Sequence, residues 1–292
     1  MKIFLLAVFC LFAAACTKEG SRSEITIGFN PAENSDVVEA NGKAFSEFYK
    51  KATGLTVKTF VATDYTALIE AMRAGRIDFA FLPAFSYVKA EEMAHAKLLL
   101  RAVRDGQTAL YSAIITRADR GLNTLKDLKG KNIAWVDPAS SSGFIVPKAT
   151  LITKEHIDPD TYFKRQVYAG SHDALVLSVL NGTVDAGATF ANDAAGKVGS
   201  WHQYLKSEAD QKKLKMIYVS DPIPGDTFST TESFAKAKPE LVEKTVKMLT
   251  EMGNSEEGRQ ILKALYHIDS MIPANTADYQ SLRDAAKAVG VK

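Results

Sequence analysis

Cysteine is nearly absent: the 292 residues hold two, Cys10 and Cys16. Cys10 falls inside an N-terminal apolar stretch, so the chain beyond that stretch cannot close a disulfide of its own. Stability must then come from burial, and a 46% hydrophobic composition supplies the material for it. Charge of one sign is also missing. Thirty-six basic and 34 acidic side chains give a net +2 with no long run of either, which argues against a nucleic-acid partner. The five histidines, His95, His156, His172, His202 and His267, are scattered without an H-x-x-x-H or C-x-x-C pair, so nothing points to zinc. No G-x-S-x-G is present, and a serine hydrolase would lack its nucleophile elbow. No apolar run reaches the roughly 20 residues that a membrane-spanning helix needs.

The chain opens with MKIFLLAVFCLFAAAC, one lysine before an apolar run from Ile3 to Ala15, followed by the polar TKEGSRSE. This pattern predicts a secretory leader over residues 1–15. Ala13, Ala14 and Ala15 before Cys16 resemble a bacterial lipobox, with alanine where leucine is usual. Two readings follow: Cys16 becomes the lipidated first residue with 16–24 as a tether, or an ordinary leader is cut nearby and the thiol is idle. The first is the expectation.

Beyond Glu24, short β-like runs alternate with amphipathic segments. EITIGFNP leads to a helix with Phe45, Phe48, Tyr49 and Ala52 at i, i+3, i+4 and i+7, and then to TVKTFVA. That alternation predicts an α/β protein with mostly parallel sheets flanked by helices. The stretch TDYTALIEAMRAGRIDFAFLP is echoed 107 residues later by GSHDALVLSVLNGTVDAGATF, setting Gly75 on Gly182, Asp78 on Asp185 and Tyr65 on His172. Helix–glycine–strand units recur in any α/β protein, yet the echo suits two lobes built on one plan. Two crossings, near Tyr111 and Asp221, would divide the chain into lobe one, 25–115 plus 222–292, and lobe two, 116–221. Tyr65 and His172 would each open a helix beyond the carboxyl ends of the strands, where ligands of open sheets bind; for His172 a simple cap or surface position is the competing reading.

The stretch DPASSSGFIVP sets Ser140, Ser141, Ser142 and Gly143 between a strand and a helix. A helix N-terminus offers unpaired N–H groups and a partial positive charge. Serine hydroxyls add donors, and glycine lets backbone approach a ligand. The arrangement suits an anion, although plain capping would need only one of the three serines.

Together DPASSSGFIVP, AGSHDALVLSVLNGTVDA, DYTALIEAMRAGRIDFAFLPAFSYV and TLKDLKGK resemble the phosphate/phosphite/phosphonate-binding proteins of ABC importers, the PhnD-like group, from Ile25 to about Ile272. The resemblance implies a two-lobed periplasmic-binding-protein fold of type II, hinged by two crossovers. It implies a monomeric solute-binding lipoprotein outside the cytoplasm that closes on a phosphonate-type oxyanion, hands it to a membrane permease, needs no cofactor and is not an enzyme. It also implies that Ser140, Ser141, Ser142 and Gly143 form the anion loop, that His172 donates to a ligand oxygen, and that Tyr65 and Tyr111 add phenolic donors from lobe one. Asp193 and Asp221 fall where members that take aminoalkylphosphonates hold the ligand amine; capping by Asp193 and an Asp-Pro turn at Asp221 are the competing readings. Pro83-Ala84 replaces the double proline of the group. Two other outputs stay open: a binding protein that reports to a membrane sensor, and a hydrolase using Ser141 with His172.

Overall fold

The computed structural model describes residues 24–291. The expected leader, Cys16 and its tether lie outside the described residues, save Glu24.

Each half of the molecule is built on a sheet. The first runs β11 (Ser270–Pro273), β4 (Ala96–Val103), β10 (Thr227–Thr231), β3 (Phe79–Leu82), β1 (Glu24–Phe29), β2 (Thr56–Val61). The second runs β7 (Arg165–Tyr168), β6 (Asn132–Trp135), β8 (Ala186–Ala191), β5 (Ala109–Arg117), β9 (Leu214–Pro224). The expectation of mostly parallel sheets holds only for β2-β1-β3 and β7-β6-β8. The strands that carry the chain between lobes pair antiparallel with these. A strand arriving from the other lobe enters at the end of the sheet where the parallel strands leave, so it must run against them.

The echo in sequence is an echo in structure. The helices Tyr65–Arg73 and His172–Leu180 each end in a glycine-led turn, with Gly75 at φ 66° and Gly182 at φ 71°. The following aspartates do the same work. Asp78 Oδ2 accepts from Thr26 N–H at 2.7 Å and Asp185 Oδ2 from Asn132 N–H at 2.9 Å. Their carbonyls accept from Thr230 Oγ1 and Thr116 Oγ1. In each lobe a carboxylate thus pins the start of one parallel strand to its neighbour, satisfying backbone donors that would otherwise be buried unpaired.

The first crossing is a tight turn at Asp105-Gly106, both with positive φ, closed by Arg104–Gln107 backbone bonds. It precedes β5, so Tyr111, expected at the end of lobe one, belongs to the second sheet and pairs with Ala191 and Pro222. The return crossing at Gly225-Asp226 lies beside it: Gly225 N–H donates to Thr108 O at 3.0 Å and Ala102 N–H to Asp226 O at 2.8 Å. The two links form one ribbon.

Burial holds each half. In the first sheet Phe29, Phe81 and Phe228 sit on adjacent strands, with Phe29–Phe81 centroids 5.5 Å and Phe81–Phe228 centroids 4.8 Å apart. Cross-strand aromatic pairs of this kind add about 0.2–1 kcal/mol each. The helix Ser35–Thr53 lays Val38, Gly42, Phe45 and Tyr49 against this layer, while Ala52, expected in the stripe, is exposed. In the second lobe Trp135 is fully buried, with Phe144 edge-on at 5.6 Å.

Candidate functional site

Between the lobes lies a cavity of about 60 Å³. One water needs roughly 10–15 Å³ on this measure, so the space suits a guest of about five heavy atoms. Its lining follows the topology. Asn30 and Glu33 follow β1, Tyr65 follows β2, Ser140 to Ser142 follow β6, His172 follows β7 and Asn192 follows β8. All these are carboxyl ends of parallel strands, where an open α/β sheet presents its loops.

The serine loop is shaped by a turn, a proline and a glycine. Asp137 opens it with a side-chain oxygen that accepts Ala139 N–H at 2.7 Å. Ser140 caps the next element, its Oγ accepting Gly143 N–H at 3.1 Å. That element is a π-turn, Ser141–Ile145, and only then does the α-helix Val146–Thr153 begin. Pro147 has no N–H to give to the Gly143 carbonyl; Val136 N–H takes that carbonyl at 3.1 Å instead. Gly143 does not line the cavity. A Cβ there would stand 2.5 Å from Val136 Cγ2, so the glycine serves the close packing of loop on strand rather than contact with a guest.

Ser140 Oγ and Ser141 Oγ each accept a backbone N–H, the latter from Phe85 at 2.8 Å. Each hydroxyl proton is therefore left to turn toward the cavity. Tyr65 is more pointed evidence. Its helix is capped by Asp64, which accepts Ala67 N–H at 2.7 Å, and its hydroxyl is fully buried with no hydrogen-bond partner. Burial first, then the charges of Asp137 and Asp226, hold its pKa well above the usual phenol value, so it keeps its proton and remains a donor. The Asn30 side-chain oxygen is likewise buried and unpartnered. Two such orphans on one cavity wall mark the place of a polar guest.

His172 begins its helix, and its backbone N–H donates to Ala32 O across the lobes at 2.9 Å. Its Nδ1 lies 2.9 Å from Thr189 Oγ1, whose hydroxyl donates to Ser200 Oγ at 2.8 Å. Burial and then the Arg104 charge push its pKa down to about 3. The ring is neutral at physiological pH.

Four expected residues sit elsewhere. Tyr111 alternates with Leu110; Leu110 takes the cavity side and Tyr111 packs on the second-lobe core. Asp193 is half-buried and closes its own loop, accepting N–H groups of Ala195, Lys197 and Val198 at 2.9, 3.2 and 2.7 Å. The cavity position beside it is held by Asn192, an amide. Asp221 is on the surface, 2.6 Å from Lys154 Nζ. Gly143, as described, packs inward.

Sequence reasoning missed Asn30, Glu33, Arg104, Tyr204, Asp226 and Tyr266. Arg104 and Asp226 face each other from the two crossings, Nη2 to Oδ2 at 2.7 Å, while Arg104 Nε donates to Tyr266 O at 2.9 Å. Arg-Asp-Gly between two strand-like runs carries the signal of a tight turn and could have found the first. Glu33, ahead of its helix, has its pKa pushed up to about 7 by burial first and Asp173 second.

With this geometry in hand, the chain can be set beside known proteins. Residues 27–279 match the family model described as ABC transporter, phosphonate, periplasmic substrate-binding protein. The phosphate-import protein PhnD of Mycolicibacterium smegmatis is 31% identical, over 97% of this chain and 94% of its own. A binding protein component of an ABC phosphonate transporter from Pseudomonas aeruginosa superposes with TM-score 0.80 at 24% identity, over 90% of this chain and 85% of that one. PhnD1 of Prochlorococcus marinus, solved with methylphosphonate, gives TM-score 0.79 at 20% identity, over 92% and 99%. The two solved structures share the two-lobed fold; the family match also answers the hydrolase alternative, because its members are binding components and not enzymes. The chain belongs to the periplasmic substrate-binding proteins of phosphonate ABC transporters.

Proposed function

We propose that the inter-lobe cavity binds one small tetrahedral phosphorus oxyanion, phosphate, phosphite or a short alkylphosphonate, and that the protein delivers it to a membrane permease. The observation that carries this reading is the fully buried, unpartnered Tyr65 hydroxyl facing a cavity that Ser140, Ser141 and Ser142 also line. Neutral donors from both lobes can surround three or four oxygens, and each hydrogen bond to a charged group contributes about 1.5–3 kcal/mol. Arg104, paired with Asp226, lines the same cavity. Donors split between lobes meet around the guest only when the lobes are together, so binding favours the closed arrangement that a permease can recognise.

The two aspartates expected to hold a ligand amine do not support an aminoalkylphosphonate as the guest; Glu33 remains a carboxyl on the cavity wall. Asp193 and Asp221 stand away from the cavity, and Asp226 is engaged by Arg104. The test is thermal-shift screening and calorimetry against phosphate, phosphite, methylphosphonate, 2-aminoethylphosphonate and sulfate. A ligand at a hundred times its Kd stabilises by about 2.7 kcal/mol. A protein that none of the phosphorus compounds stabilises would refute the reading. We also place the anchor at Cys16, supported by the Ala-Ala-Ala-Cys pattern; intact-mass analysis of the membrane fraction, with Cys16→Ser as the unlipidated control, checks it.

A further inference from the structure

We infer that His172 reads the guest's proton: the cavity accepts tetrahedral anions that carry a hydrogen on oxygen and turns away those that carry none. The inference rests on the oxyanion reading above and narrows it.

A threonine hydroxyl has one proton, and that of Thr189 is given to Ser200 Oγ at 2.8 Å. Thr189 Oγ1 can then meet His172 Nδ1, 2.9 Å away, only as an acceptor. The ring proton therefore sits on Nδ1, and in a neutral imidazole the other nitrogen is a bare lone pair. Phe190, edge-on to the ring with centroids 4.9 Å apart, fixes its orientation. With Nδ1 turned to Thr189, Nε2 is the nitrogen left to the cavity that His172 lines.

A lone pair opposite a bare oxyanion oxygen repels it; opposite P–O–H it accepts a hydrogen bond. This is the reverse of the donor role that family resemblance assigns to His172. Phosphate, phosphite and alkylphosphonates belong to a class that exists in protonated form at or near neutral pH, whereas sulfate and alkylsulfonates are fully ionised there. The tautomer thus separates two anions of one shape and nearly one size, which the hydroxyls of Ser140 to Ser142 and Tyr65 cannot do.

The matched pair for the test is methylphosphonate against methanesulfonate, by calorimetry near pH 6, where the phosphonate keeps its proton. The unmodified protein should prefer methylphosphonate by on the order of 10–100-fold, and nitrogen-15 spectra should show a protonated Nδ1 and a bare Nε2 on His172. Ser200→Ala removes the acceptor that holds the Thr189 proton. That proton can then be donated to Nδ1, the ring proton moves to Nε2, and the preference should shrink toward parity. Equal affinity for the two ligands in the unmodified protein, or a protonated Nε2 in its spectrum, would overturn the inference while leaving the oxyanion reading intact. Failure to bind methylphosphonate, phosphite or phosphate would bring down both. The first two measurements need no variant, so a Ser200→Ala protein that does not fold leaves the inference exposed to them.

Discussion

Replacing Tyr65 by phenylalanine should weaken binding and leave stability nearly unchanged. The hydroxyl is fully buried and hydrogen-bonds to no other group of the described residues, so its removal breaks no internal hydrogen bond of the protein. Phenylalanine keeps the ring, which is 1% exposed and packed within the second-lobe cluster, and removes only the desolvated oxygen. The empty protein should then melt no lower than its parent. Loss of an internal hydrogen bond of about 1 kcal/mol would instead lower the melting point by about 2–4 °C. Ligand binding should weaken, since a donor to a charged oxygen contributes about 1.5–3 kcal/mol, roughly ten- to a hundredfold in Kd. Differential scanning calorimetry of the empty protein and titration with methylphosphonate read the two effects separately. A variant that melts several degrees lower would show the hydroxyl to be structural, and an affinity within about twofold of the parent would remove Tyr65 from the site.

The remaining predictions concern charge and packing. Glu33 has a folded pKa of about 7 against an ordinary value of 4.5, so the native state holds an extra proton between those values. Stability is therefore undiminished below pH 4.5 and falls by about 3 kcal/mol as pH rises through 7. Glu33→Gln should gain on its parent across that window, and a melting-point difference that is the same at pH 5 and pH 8 would contradict this. Gly143→Ala places a methyl 2.5 Å from Val136 Cγ2 and should cost about 1–3 kcal/mol in urea unfolding, with a loss of affinity as the serine loop is displaced. Asp193→Asn and Asp221→Asn should each leave the affinity for phosphate and for 2-aminoethylphosphonate within about twofold; a selective loss for the amine-bearing ligand would restore them to the site.

Much of the fold was legible because it repeats. The 107-residue echo carried the helix starts, the glycine turns and the paired aspartates into matching places in both lobes. Local chemistry is legible too: the Thr-x-x-Asp spacing of Thr124 and Asp127 predicts a helix start, and Asp127 Oδ2 accepts Thr124 N–H at 2.9 Å, though the element opened is a single 3₁₀ turn, Leu125–Leu128. What stayed hidden was which side of a strand or loop each residue takes. Tyr111 and Leu110 differ only by the alternation of one strand, Asp193 and Asn192 by one step of a loop, and both readings fell on the wrong neighbour. The pairing of Arg104 with Asp226 was hidden for another reason. They lie far apart in the chain, and only the side-by-side packing of the two crossings makes them a pair. The direction of the hydroxyl chain from Thr189 to Ser200 is fixed by geometry alone.

That pairing at the crossings has a mechanical side. A salt link that joins both connecting strands at the pivot is a clasp as well as a lining, so whatever tunes its strength also sets how freely the halves swing apart. Changes of guest and changes of opening speed should therefore be inherited together in this protein, and an engineer who redraws its selectivity at Arg104 or Asp226 should expect to retime its release.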